Sequence, residues 1–190
     1  VVFDSEDLRG CTITDWDGYE VSADESKILL HTATKMVYRY SFTADYYVYD
    51  TKSQRITKLT EAGGEEIATL SPDNRKVAFV KDNNVYVKWL ASGEVRAITT
   101  DGKKNKVING VPDWVYQEEF GILNSLRWSA DGSTLAFIRF DESEVPMYSM
   151  ELYEGACKPN EAYALYPGRF DFKYPVAGEK NSVVSVLAWN

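Results

Sequence analysis

Three ten-residue segments of this chain align without gaps. They are Val21–Leu30 (VSADESKILL), Leu70–Phe79 (LSPDNRKVAF) and Trp128–Phe137 (WSADGSTLAF). Each reads as an apolar residue, Ser, any residue, Asp, three further residues and then an apolar run. The Asp and its neighbours predict a tight turn, because short polar side chains bond to the backbone just ahead of them. The copies start 49 and then 58 residues apart. A period of that size predicts the blades of a β-propeller, in which a small sheet is repeated around an axis.

The stretches between the turns support this. Lys76–Val80 runs into Asp82-Asn83-Asn84 and returns as Val85–Trp89, which predicts a hairpin. Tyr46–Asp50 takes the same place in the first copy. Ile56–Thr60 and Ala97–Thr100 read as closing strands of two blades. Val, Ile, Tyr, Phe and Thr dominate these runs, as a pleated, half-buried surface favours. The expected fold class is therefore all-β, with four-stranded antiparallel blades.

Composition narrows the function. The chain has 190 residues, 44% hydrophobic and 14% aromatic, too apolar for a disordered segment. That length suits one domain or two small ones. Lys and Arg number 21 against 29 Asp and Glu, a net charge of −8, which argues against a nucleic-acid partner. No apolar run reaches the roughly 18 residues a membrane span needs. The chain starts at Val1, not Met, which reads as a processed or cut chain and leaves targeting open.

The second interval is longer than the first by nine residues, and the excess lies within Asp101–Gly121. Asp113–Phe120 (DWVYQEEF) interrupts the strand pattern and predicts a short helix, with Pro112 before it and Gly121 after it. An insertion on one face of a repeat is where binding residues tend to lie. Glu118-Glu119 is the candidate pair. It reads either as solvated surface or as a clamp for an ammonium group, whose three donors two carboxylates can share. A peptide α-amine, with a pKa near ~8, would stay protonated beside them. Two adjacent carboxylates call for a nearby cation. Arg39, in Tyr38-Arg39-Tyr40, is either that cation or an arginine packed between strand aromatics.

Other signals are weaker. Gly-x-Ser-x-Gly and phosphate-binding glycine loops are missing from the sequence. His31 is the sole histidine and its strand setting predicts a structural role, not a triad. Cys11 and Cys157 allow one disulfide or two free thiols, with free thiols favoured, and neither suggests zinc. Asp15–Gly18 reads as a turn, since the bidentate Glu of a calcium loop is missing. Asp141–Glu144 reads as a solvated acidic loop. No metal or cofactor is expected.

The segment Asp113–Phe120 resembles the double-glutamate motif of dipeptidyl peptidase IV and its relatives, serine peptidases of the prolyl oligopeptidase family. Tyr38–Tyr46 resembles the family's arginine-bearing strand. Asn83–Lys88, Glu144–Pro146 and Tyr174–Gly178 match as well, so the resemblance covers nearly the whole chain. One departure is Gln117, where the family commonly has a first of three glutamates. The resemblance implies an N-terminal eight-bladed propeller followed by an α/β-hydrolase domain. Residues 1–190 would then be a partial propeller of about four blades, without the catalytic triad and inactive alone.

The resemblance also implies release of N-terminal X-Pro or X-Ala dipeptides. Glu118 and Glu119 would bind the free α-amine, and Arg39 would contact a substrate carbonyl and orient the glutamates. Anchoring the amine makes its distance to the nucleophile a ruler. The implied partner is a peptide with a free N-terminus, and the full-length protein would be a homodimer. An isolated fragment is expected to self-associate through uncovered blade faces. A tripeptidyl relative and a non-catalytic protein-binding propeller stay open as alternatives. With no Asn-x-Ser/Thr sequon, a bacterial source is expected, and export to the periplasm or cell surface follows from the resemblance alone.

Overall fold

Each of the three repeats folds as a strand–turn–strand corner, and the corners organise the sheets. The computed structural model describes residues 3–153 and 166–190. Strands β1 (Gly18–Val21), β2 (Lys27–Met36), β3 (Phe42–Asp50) and β4 (Arg55–Lys58) form one antiparallel meander. Strands β5 (Ile67–Leu70), β6 (Lys76–Lys81), β7 (Asn84–Trp89) and β8 (Val95–Ala97) form a second.

A third sheet follows, with short β9 (Val107–Asn109), then helix α1 (Trp114–Glu118), β10 (Leu126–Trp128) and β11 (Leu135–Asp141). The hairpin of β12 (Met147–Leu152) and β13 (Gly168–Lys173) stands apart as a two-stranded sheet. Strand β14 (Val183–Trp189) then returns to cover the full length of β11, while β9 and β10 share its other edge. The described residues are thus nearly all antiparallel β, and they do not close a ring. Two sheets have the expected four-strand meander. The third is built differently, and the fourth grouping is only a hairpin.

The corners explain why the repeat has its spelling. In each, the Ser hydroxyl donates to the Asp two residues on: Ser22 to Asp24 at 2.9 Å, Ser71 to Asp73 at 2.5 Å, Ser129 to Asp131 at 2.6 Å. The same hydroxyl accepts the N–H five residues on, from Lys27, Lys76 and Thr134, each at 2.9 Å. The residue after the Asp is left-handed in all three: Glu25 (φ 58°), Asn74 (φ 55°) and Gly132 (φ 69°). The donors hold Asp24 and Asp131 down to about 2. The corners also touch one another. Asn74 Nδ2 donates to Asp24 at 2.6 Å, and Lys76 Nζ donates to the Gly132 carbonyl at 2.7 Å.

The core lies between sheets. Leu29, Ala44, Tyr46 and Val48 of the first sheet pack on Val77 and Phe79 of the second. Ala78, Val80, Val85 and Val87 of the second pack on Val111, Leu126, Leu135 and Phe137. Strand β6 is therefore buried on both faces, with Val77, Ala78 and Val80 fully buried. This is why it reads as a continuous apolar run and not an alternation. Each of the two valines contributes about 1.5–3 kcal/mol of transfer free energy.

Three local expectations shift. The β6–β7 turn is two residues, Asp82 and Asn83, both at positive φ, and Asn84 joins the strand opposite Lys81. That is the primed turn whose twist matches a hairpin. Strand β8 ends where Ala97–Thr100 was predicted to begin, because the Thr99 hydroxyl takes the Val85 N–H at 3.0 Å and ends the ladder. The Asp141–Glu144 loop is not uniformly solvated, since Glu142 is only 5% exposed. Burial and the nearby Asp113 push its carboxyl up to about 7.

Other expected roles are unremarkable in place. His31 on β2 stacks on Phe42 and lies tilted against Tyr46, and burial lowers its pKa. Asp17 accepts the Thr34 N–H at 2.9 Å, a contact that ties the segment before β1 to β2 from 17 residues away. Cys11 is a free thiol facing the Ile56 carbonyl, and Cys157 lies outside the described residues. Among the described residues no cluster of His, Cys, Asp or Glu could hold a metal, and no helix is long and apolar enough to cross a membrane.

Candidate functional site

Helix α1 is a single turn and a half, too short to be stable on its own. Its position is set by contacts at both ends. Asp113 caps the N-terminus, accepting the Tyr116 N–H at 3.0 Å, while its second oxygen accepts the Ser182 hydroxyl at 2.6 Å. At the other end the chain leaves through Gly121 in the left-handed region (φ 66°), whose N–H donates to the Gln117 carbonyl at 3.1 Å. The predicted helix of Asp113–Phe120 is thus shorter but correctly bracketed.

An aromatic cluster fixes the helix's rotation. The Trp114 ring stacks on Phe172 of β13 with centroids 4.5 Å apart, meets Tyr174 edge-on at 5.2 Å, and lies 5.2 Å from Tyr38. Tyr116 meets Phe140 of β11 edge-on at 5.1 Å. Such pairs contribute roughly 0.5–1.5 kcal/mol each beyond burial. This cluster was not legible in the sequence. The alternation Phe170, Phe172, Tyr174 was its one available signal, and it points to a strand face without naming the partner.

The two glutamates go to different environments. Glu118, the last helical residue, is 3% exposed. Its Oε1 accepts the Ser41 hydroxyl at 2.6 Å and the Ser41 N–H at 3.1 Å, and its Oε2 accepts the Tyr40 N–H at 3.2 Å. Glu119 is exposed, and its own N–H still donates to the Val115 carbonyl at 2.9 Å. Helix α1 and the loop between β2 and β3 are therefore bonded through one carboxylate, across 77 residues of chain.

Arg39 sits in that loop, next to Tyr40. It is exposed, with its guanidinium carbon 5.4 Å from the centre of the Tyr38 ring. The structure brings Arg39 to the same corner as Glu118 but forms no ion pair between Arg39 and either glutamate among the described residues. The Glu118 charge is met by N–H and O–H donors, and Arg39 leans on the neighbouring ring.

Below α1 lies a cavity of about 210 Å³, lined by Glu66, Trp114, Gln117, Glu142, Phe172 and Lys173 among others. Burial raises the Glu66 carboxyl above its usual range. A larger apolar hollow of about 460 Å³ lies on the first sheet, between Phe3, Trp16, Tyr19, Val21, Ile28 and Leu30, away from the glutamates. Its lining is apolar except for Glu25.

Chemically, the corner offers one exposed carboxylate, one buried carboxylate with unused acceptor capacity on Oε2, and an exposed guanidinium. That set suits a ligand with a cationic donor group and a carbonyl.

Comparisons with known proteins agree with this architecture. A solved dipeptidyl peptidase 4 from Porphyromonas gingivalis superposes with a TM-score of 0.88 at 45% identity, covering 100% of this chain and 26% of that one. The "Probable dipeptidyl-aminopeptidase B" of Talaromyces marneffei is 39% identical over 172 residues, covering 87% of this chain and 19% of that protein. The mouse "Prolyl endopeptidase FAP" is 32% identical over 189 residues, 98% of this chain and 23% of its own length. The chain spans about a fifth to a quarter of the relatives it matches. Those relatives are bacterial, fungal and mammalian, and so do not single out a bacterial source. Residues 22–190 match the family described as "Dipeptidyl peptidase IV (DPP IV) N-terminal region". The chain belongs to the dipeptidyl peptidase IV N-terminal region family.

Proposed function

We propose that this chain is the amine-recognition part of a serine exopeptidase that releases X-Pro or X-Ala dipeptides from peptide N-termini. Its sheets would be successive blades of a larger propeller, with the catalytic triad in another part of the full-length protein. Glu119 and Oε2 of Glu118 would share the substrate's ammonium group, and Arg39 would reach a substrate carbonyl. The observation that carries this reading is the division between the glutamates: one is tied to Tyr40 and Ser41, the other is presented to solvent at the same corner. A blocked amine would bring no positive charge to two like charges, and would lose the anchor.

The test uses the full-length protein and a Gly-Pro chromogenic amide, with the amine free or acetylated. Release confined to the free amine, and lost in Glu119→Ala, supports the reading. Equal release from both substrates overturns it and favours an endopeptidase, a reading that the name of the mouse relative also raises. No release from either would favour a tripeptidyl enzyme or a protein-binding propeller. We also propose that the chain alone self-associates, because Val183, Val184, Val186 and Leu187 on β14 and Tyr19 and Val21 on β1 expose apolar surface. A monomer in light scattering at high concentration would refute that.

A further inference from the structure

We propose that Ser41 is a positioning residue of the amine site, setting the direction of the Glu118 carboxylate and the pose of the Arg39 loop together. This rests on the amine-anchor reading above and adds to it the residue that holds the anchor.

Ser41 is 8% exposed and bonds in three directions. Its hydroxyl donates to Glu118 Oε1 at 2.6 Å, and its N–H donates to the same oxygen at 3.1 Å. Its carbonyl accepts the N–H groups of Val37 at 2.8 Å and Tyr38 at 3.3 Å, which closes the loop containing Arg39. A glutamate side chain has three rotatable bonds and a one-and-a-half-turn helix cannot hold it still. Two donors from one residue on one carboxylate oxygen can. They also decide which oxygen is left for a ligand: Oε1 is occupied by Ser41, while Oε2 keeps only the Tyr40 N–H. Glu118 thus faces its ligand with one oxygen, in a direction fixed from across the loop.

The hydroxyl is the separable part of this arrangement. Ser41→Ala keeps both backbone N–H donors and the loop closure, and removes one charge-assisted bond. Ser41→Thr keeps the bond. The readout is the ratio of kcat/KM for a free-amine Gly-Pro amide to that for its N-acetyl counterpart, in the full-length protein. General destabilisation lowers both rates together and leaves the ratio alone. A disordered anchor lowers the ratio.

We expect Ser41→Ala to lower the ratio roughly tenfold, the size of one hydrogen bond to a charged group, chiefly through KM for the free amine. Ser41→Thr should restore most of it. If Ser41→Ala yields too little protein, Ser41→Cys keeps the volume with a weak donor and should move the ratio the same way. A ratio that falls in Glu119→Ala but not in Ser41→Ala overturns the inference and leaves the amine anchor standing. An equal loss in Ser41→Thr and Ser41→Ala also overturns it, since the hydroxyl would then not be the cause. A parent protein that does not discriminate the two substrates overturns the amine anchor and this inference with it.

Discussion

Glu142→Gln should stabilise the protein at neutral and alkaline pH and change the shape of its stability profile. A glutamate that ordinarily ionises near 4.5 is pushed up to about 7 here, first by burial and then by the Asp113 carboxylate; Lys173 and the Asn105 N–H act in the opposite sense. In the native state the group holds its proton at pH values where the unfolded chain has released it. The native state therefore binds more protons between about pH 4.5 and 7, and stability falls as pH rises through that window. Above it the penalty is constant. The gap sets a ceiling of about 3 kcal/mol, and partial solvent exposure reduces this to roughly 1–2 kcal/mol. Glutamine has nearly the same shape, keeps an acceptor for the Asn105 N–H and carries no charge to bury. Thermal unfolding from pH 4.5 to 8 measures the difference between variant and parent. The curves should meet at the acid end and separate steadily up to about pH 7. Parallel curves, or a variant less stable at pH 8, would show that Glu142 is ionised at no cost in the native state, and would refute the reasoning.

Two further substitutions test the fold. Ser71→Ala removes a buried hydroxyl that both donates to Asp73 and accepts from Lys76; it should cost about 1–2 kcal/mol in denaturant unfolding, and no change would mean the corner is held by backbone alone. Gly18→Ala would place a methyl 2.4 Å from His31 Cε1, so it should cost about 1–3 kcal/mol, largely relieved by adding His31→Ala; an additive double variant would refute the contact.

The corners were legible because each is a local device. Ser, Asp and a left-handed residue at fixed spacing satisfy one another within six residues, so the pattern survives in the sequence three times over. The bracket around α1 was legible for the same reason, through Pro112 and Gly121, while the capping by Asp113 was not. Glu118, Glu119 and Arg39 could be singled out by residue type and by a family resemblance, yet nothing in their spacing shows that one glutamate is buried and the other exposed. Ser41 drew no notice, because a serine in a strand-like run has no local signature of bonding a carboxylate 77 residues away. Glu142 was misplaced because a run of acidic residues reads as solvated, while the fold closes Asp113, Lys173 and the β12–β13 hairpin around it.

By itself the sequence determined the strand-rich class, the repeating corner, the hairpin turns and the place where the repeat is interrupted. Those follow from short-range hydrogen bonding and from side-chain periodicity, which act between residues close along the chain. Only the tertiary structure decided that a strand from beyond the β12–β13 hairpin completes the third sheet, that Trp114 and five other aromatic rings form one cluster, and that Glu118 points into the Tyr40–Ser41 loop. Each depends on which faces meet once apolar surface is buried between sheets, and that is a property of the packed whole.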